Sequence, residues 1–415
     1  MQCSRPPVTP FCPTVRILLP FWRGVPERCF YQEFHRGITE ALLELGHEPV
    51  TLPFADCGKV ALEEANALYV QLDSAAPDAM LDLACWGYAL SRLTVPTKDG
   101  GREPIFDAFE VACAGLLFDQ PFNQAINGIV AKRLCAVYPD AGHPQQVRLI
   151  YPKIRLASET IAPPAVRPEN DRSAGHAGRD IDVLYVGNVA PESLSRFWHD
   201  RTNRRWPTGF SPQFCDALVE AVLAEPERSL HLGVRAALLN LGAVPEDFDF
   251  GVHLRCVEHH LRQILRHDAV LALAGSGVRM RVVGKGWSAM PLPGNVECSA
   301  ETDYDGFFEL AGRAKICLDA STYLDGANDR VFSYAVNGAV CLTNASGYLR
   351  GALSDETGFI FYSMRDLAGL ADRARSLLAS PAMLQEAGAR ARAAVLTSHT
   401  WRHRVTDILG AMGLA

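Results

Sequence analysis

The chain has 415 residues, of which 48% are hydrophobic and 21% charged, with a formal net charge of -7. That length suggests two or three domains of ordinary globular composition. The negative balance gives no support for nucleic-acid binding, and no apolar run approaches the roughly 18 residues that a membrane helix needs.

The first residues, MQCSRPPVTPFCPTVR, carry prolines where a secretory leader needs a continuous apolar core, so they read as a lead-in. The 12 cysteines are scattered, with no CxxC pair. Cys85, Cys113, Cys317 and Cys341 sit in apolar settings, which points to buried reduced thiols and a cytoplasmic location.

In chain order, VRILLPF reads as a buried strand. A polar loop follows, then a helix from about Cys29 to Leu45, closed by Gly46. EPVTLPF, DAMLDLACWGYA and EVACAGLLFDQPF read as further strands. Strand–helix alternation argues for a parallel, doubly wound sheet covered on both faces. TIAPPAVRPENDRSAGHAGRD is rich in Pro, Gly, Ser and charge, as linkers are. The expected domains are therefore 1–165 and 180–395. IDVLYVGNV opens the second, and a helical insertion over about 205–275 follows it. VRMRVVGKGW, AKICLDAS, AVCLTN and GFIFYS resume the sheet. Two helices come next, the second starting at Pro381. A last amphipathic piece spans 396–415.

Ligands of open parallel sheets bind outside the carboxyl ends of the strands. In the second domain those ends lead into Gly187-Asn188, Gly284-Lys285-Gly286-Trp287, the stretch LDGANDRVF, and Asn344-Ala345-Ser346-Gly347. Asn328 suits the N-cap of the helix that follows it. A helix N-terminus favours an anion, and Arg330 lies in its first turn. The bland alternative is that Arg330 pairs with Asp325 or Asp329 and ties down the loop.

LDGANDRVFSYAVNGAVCLTN resembles the signature DGPNxRVFEALACGAFLLT of the CgeB-like (spore-maturation-protein) glycosyltransferases. The similarity extends to RVVGKGW, to VECSAETDYDGFFELAGRAKICLDAS and to the tail containing HTWRHR. It covers most of residues 180–405. It implies the GT-B fold, in which two doubly wound Rossmann-like domains face a cleft. It implies a nucleotide-sugar donor on the second domain, a UDP-linked sugar being one option, with no metal and no other cofactor. Gly187, Asn188, Lys285, Gly286, Trp287, Asp325, Asn328 and Arg330 would then bind the donor. The final helix would cross back to the first domain. Ser333 stands where relatives often carry the Glu that holds the ribose hydroxyls, and Ala327 replaces a proline.

A general base for the acceptor hydroxyl would come from the first domain. The candidates are Asp119, after LLF, and His35, beside Glu33 in the loop and helix after the first strand. The acceptor would be a protein, an envelope glycan or a small molecule. The alternatives are a sugar-nucleotide epimerase of the same fold and a non-catalytic carbohydrate- or protein-binding relative. Several short motifs read as bland. Asp247-Phe248-Asp249 and Asp303-Tyr304-Asp305 recur by chance, Cys256, His259 and His260 lack a second ligand cluster, and Gly275-Ser276-Gly277 lacks full nucleotide-loop spacing. The Arg-rich stretch His199 to Trp206 reads as a solvated loop.

Overall fold

A computed structural model of the chain describes residues 14–173, 175, 178–200, 205–353 and 357–415. The first half holds β1 (Arg16–Trp22), β2 (Glu48–Phe54), β3 (Ala79–Leu83), a small hairpin of β4 (Thr94–Pro96) and β5 (Arg102–Pro104), then β6 (Ala112–Leu116), β7 (Leu134–Tyr138) and β8 (Ser158–Ile161). Apart from the hairpin they form one parallel sheet in the order 2-1-3-6-7-8. The second half holds β9 (Ile181–Val186), β10 (Met280–Val283), β11 (Val296–Ser299), β12 (Ala314–Asp319), β13 (Val340–Asn344) and β14 (Phe359–Tyr362). These make a second parallel sheet in the order 11-10-9-12-13-14.

The central strands are buried along their whole length because both faces are covered: all five residues of β3, β6, β7 and β13 are buried, and apart from Asp82, Thr343 and Asn344 they are mainly apolar. Helix Phe30–Glu44 buries Tyr31, Phe34, Ile38, Ala41 and Leu42, the three-and-four spacing of one helical face. DAMLDLACWGYA is a strand only as far as Leu83. Ala84 and Cys85 then take positive φ (54° and 55°), and the chain turns into the short helix Tyr88–Ser91. The insertion after β9 is helical, with Pro212–Ala224, Leu230–Leu241 and the long helix Phe250–Gly275 packed around Phe214, Leu218, Val234, Leu254 and Val257.

The two halves meet at several places. The last helix, Trp401–Ala411, leaves the second half and buries Trp401, Val405, Ile408 and Leu409 with Ile38, Ala41 and Leu42 of the first. Asp140, after β7, bridges to Gly326, and its carboxylate accepts from the amides of Asp325 (2.9 Å) and Gly142 (2.7 Å). A Cβ at 326 would lie 2.1 Å from the Pro139 carbonyl, so only glycine lets this loop dock on the first half.

Candidate active site

Strand order reverses beside β1 in one sheet and beside β9 in the other, and each reversal opens a crevice at the strands' carboxyl ends. The crevices share a cavity of about 810 Å³ between the halves.

From the second half, β9 delivers Gly187 and Asn188, and β10 delivers Gly284. Gly284 has φ 146°, and a Cβ there would sit 2.4 Å from the Gly187 carbonyl. Glycine therefore lets the two loops stack, with the Lys285 amide donating to Asn188 Oδ1 at 2.9 Å. Strand β12 ends at Asp319, whose buried carboxylate accepts from Asn328 Nδ2 (2.9 Å) and Thr343 Oγ1 (3.3 Å). Asn328 caps helix Asp329–Val336 by accepting from the Arg330 amide at 2.9 Å. That fold swings Arg330 across the end of β9. Its Nη1 donates to the Val186 carbonyl (2.6 Å), and its Nη2 lies 3.8 Å from Asp319 Oδ1. Burial works against the guanidinium charge, but Asp319, Tyr334, Tyr185 and Asp329 together outweigh it and hold the charge more firmly than usual.

The long insertion helix adds a second set of charges. Glu258, Arg262 and Arg266 stand four residues apart and share one helical face. Buried Glu258 accepts from Nε and Nη2 of Arg262, each at 2.7 Å, and from Thr322 Oγ1 at 2.5 Å. Burial opposes ionisation of both partners, but the pairing wins: Glu258 is held below its ordinary value and Arg262 above its own. Arg266 Nη1 donates to the Asn188 carbonyl at 2.9 Å, while its buried Nε has no partner among the described residues. Burial depresses its pKa, and the nearby Arg330 and Arg262 charges push the same way. Three guanidinium groups of the second half thus line the cavity, with a carboxylate behind each of two of them.

From the first half, β6 leads through Phe118 to Asp119, which is 40% exposed in the cavity. Its Oδ1 accepts from the Gln120 amide (2.7 Å), its Oδ2 from Asn123 Nδ2 (3.1 Å), and Arg262 Nη2 reaches Oδ1 at 3.5 Å. The Tyr323 hydroxyl donates to the Phe118 carbonyl at 3.0 Å, tying the halves together beside it.

Of the residues expected at the site, Asp119, Gly187, Asn188, Asn328 and Arg330 line this cavity. Five others do not. His35 lies inside helix Phe30–Glu44 with its ring edge against Phe21, and burial lowers its pKa to about 4. Lys285 is mostly exposed and pairs with Glu301 of the cavity wall (2.5 Å), standing beside the cavity rather than in its wall, and Gly286 supports the turn at φ 87°. Trp287 is fully buried and donates to the Gly187 carbonyl at 2.6 Å, so it holds the loop from behind. Asp325 faces helix Gly347–Ala352, and burial pushes its pKa up. Ser333 is buried outside the cavity wall, beside the Tyr304 hydroxyl, which donates to Asp329 instead. Glu33 is bound by Arg167 and Asn170.

Sequence reading missed Arg262, Arg266, Thr322 and Tyr323 in the cavity wall. The four-residue repeat of Glu258, Arg262 and Arg266 within an otherwise apolar face was the available signal. The bland motifs have structural roles. Asp249 and Asp303 are N-caps (3.1 and 2.8 Å to Gly251 and Gly306 amides), and His259 and His260 bond to Ser193. Among the described residues, no three His, Cys, Asp or Glu side chains gather as a metal site. Residues 201–204 of the Arg-rich stretch lie outside the described residues.

Comparison with known proteins agrees with this geometry. Residues 262–410 match a family model described as glycosyl transferase-like. Sucrose-phosphate synthase from Thermosynechococcus elongatus superposes with a TM-score of 0.52 at 10% identity, covering 95% of this chain and 97% of that one. AviGT4, a glycosyltransferase involved in avilamycin A biosynthesis, gives 0.51 at 15% identity over 96% and 97%. The fold is GT-B. An α-glucosyltransferase solved with UDP-glucose and abasic-site DNA shares it, at a TM-score of 0.52 and 10% identity over 97% and 100%. No curated protein matches the sequence. The carboxyl-terminal half of this GT-B chain carries a glycosyl transferase-like domain, and Arg262, Arg266, Asn328 and Arg330 all fall within it. No helix among the described residues is long and apolar enough to cross a membrane.

Proposed function

We propose that the chain transfers a glycosyl group from a nucleoside-diphosphate sugar to an acceptor hydroxyl. The observation that supports this most is the convergence of Arg262, Arg266 and Arg330 with the N-terminus of helix Asp329–Val336 on one cavity. Guanidinium groups and free backbone amides suit a diphosphate better than any neutral ligand. In the reaction, the acceptor oxygen bonds to the anomeric carbon as the bond from that carbon to phosphate breaks. The bonding pair leaves on the diphosphate. The arginines, fixed before the reaction, stabilise that charge without a metal. The acceptor proton passes to Asp119, which is ordered by Gln120 and Asn123 and open to the cavity.

The quoted motif between Leu324 and Asn344 supports placement near the CgeB-like enzymes. Because neighbours of this fold hold UDP or UDP-glucose, a uridine nucleotide is the first donor to test. The net charge of -7 favours an acceptor other than nucleic acid. The buried thiols of Cys85, Cys113, Cys317 and Cys341 favour a cytoplasmic setting.

The test is a panel of sugar nucleotides with and without EDTA, read by release of nucleoside diphosphate. Release that survives chelation, and that falls about 100-fold or more in Asp119→Asn, is expected. An altered sugar nucleotide would mean epimerisation instead. A chain that binds no nucleotide by calorimetry would end the proposal.

A further inference from the structure

The two walls of the cavity differ in chemistry. The wall from the second half carries Arg262, Arg266, Arg330, amides and several carboxylates, interleaved with Tyr304, Phe307 and Tyr323. The wall from the first half is dominated by Pro26, Phe30, Phe34 and Phe118, with Glu27, Arg28 and Asp119 at its edges. Phe34 packs edge-on against Phe30 (5.6 Å) and Phe118 (5.1 Å), so the rings form one aromatic surface. Phe30 occupies the first turn of its helix and leaves 41% of its surface in water. A large exposed aromatic at the mouth of a cavity is a surface awaiting an apolar partner.

The polar groups beside this wall are few. Arg28 is committed across the cleft, with its Nη1 3.4 Å from Asp303 and its Nε 3.7 Å from Asp305, and its carbonyl accepts from the Tyr304 amide at 2.8 Å. Glu27 and Asp119 are the carboxylates that remain on this side. A sugar acceptor brings a ring of hydroxyls, and each one buried without a partner weakens binding. A planar aromatic ring brings one hydroxyl and two faces that suit edge-to-face packing. The cavity is also spanned by Arg28–Asp303 and by Tyr323–Phe118, which suits a small molecule better than a polymer.

Resting on the transferase reading, we propose that the acceptor is a small hydroxylated aromatic molecule. Its ring lies on Phe30 and Phe118, and its hydroxyl points to Asp119. The phenolic oxygen bonds to the anomeric carbon, its proton goes to the Asp119 carboxylate, and the nucleoside diphosphate departs with the bonding pair.

Two measurements on the full chain test this separately from the transferase reading. The first is fluorescence titration with 2-naphthol. Saturable binding is expected, weakened about tenfold in Phe30→Ala and less in Phe30→Leu. No binding, or equal binding by Phe30→Ala, overturns the proposal. The second is nucleoside diphosphate release with 2-naphthol, 4-methylumbelliferone, maltotriose or dodecanol as acceptor. Faster release with the phenols, with an aryl glycoside formed, supports it. Greater stimulation by maltotriose or dodecanol, or none by either phenol in a chain that binds nucleotide, overturns it. If 2-naphthol binds through Phe30 but no nucleotide does, the aromatic site stands and the transferase reading falls.

Discussion

Each sheet places one buried aspartate on the strand across its switch point, Asp82 on β3 and Asp319 on β12. Their surroundings are opposite. Asp319 is bound by Asn328 and Thr343 and lies beside Arg330. Asp82 accepts one bond, from the Gly87 amide at 2.8 Å, and its Oδ2 has no partner among the described residues. Burial raises the pKa of Asp82 to about 7. The difference shows what a buried carboxylate does with and without a cation. Beside Arg330 it organises a loop and holds a guanidinium in the cavity wall. Alone, it holds a proton. In one half this position supports a charged loop at the cavity, and in the other it is a lone carboxyl in the core.

The comparison breaks most sharply at Asp319. Asp319→Ala removes the acceptor of Asn328 and leaves Arg330 buried without its carboxylate. A loss of about 3–5 kcal/mol in urea unfolding is expected, because stranding one member of a buried pair is costly. If Asp319→Ala unfolds at the urea concentration of the parent chain, the organising role assigned to this residue is wrong.

Asp82 should behave as the reverse case. Its folded pKa of about 7 lies above the ordinary carboxylate value of 3.8, so the folded chain keeps a proton that the unfolded chain releases. Stability from this group is therefore fully present below about pH 4 and is lost as pH rises toward about 7. The span is on the order of 4 kcal/mol, and Asp82→Asn should flatten it. A series of unfolding curves across that range checks the slope. An Asp82→Asn curve that runs parallel to the parent's across that range would show that Asp82 is ionised in the fold.

The third test moves from stability to binding. Arg330→Ala should weaken nucleoside diphosphate binding by about 10–100-fold, the worth of a charge-assisted bond. Calorimetry on folded protein measures it, and unchanged affinity would remove the anion site from the end of β9.

The parts of this arrangement differ in how far the sequence reveals them. The central strands have apolar middles with polar residues mainly at their ends, so β1, β9, β12 and β13 stand out. Edge strands such as β8 (SETI) and β11 (VECS) pair on one side only and carry polar residues, which leaves no period to read. Asn328 and Arg330 were legible because capping chemistry and a cation coincide within a few residues. Lys285 stands one step back, paired with Glu301 of the wall, because sequence proximity to a glycine turn does not say how far the turn carries the side chain. Arg262 and Arg266 were hidden in a long helix whose apolar period explained it already. A repeat of charges on a buried face is visible only when one asks what would pair them. Asp140 and Gly326 form the contact between halves from positions 186 residues apart, a separation that no local pattern encodes.

The smallest expected effect concerns the place where the first half touches the second half's site. Arg28 holds φ 54°, a left-handed conformation that costs a non-glycine residue about 1–2 kcal/mol. Its side chain is 65% exposed and reaches Asp303 and Asp305, and exposed pairs contribute little. Arg28→Ala loses the ion pairs and keeps the backbone cost. Arg28→Gly loses the ion pairs and relieves that cost. If the loop is held by its backbone bond to Tyr304, Arg28→Gly should match or exceed the parent in urea unfolding, and Arg28→Ala should fall slightly below it, with a gap of about 1 kcal/mol between the two. If both fall equally, the side-chain bridges hold the halves together at this corner, and the first half then contributes more to closing the site than its uncommitted aspartate suggests.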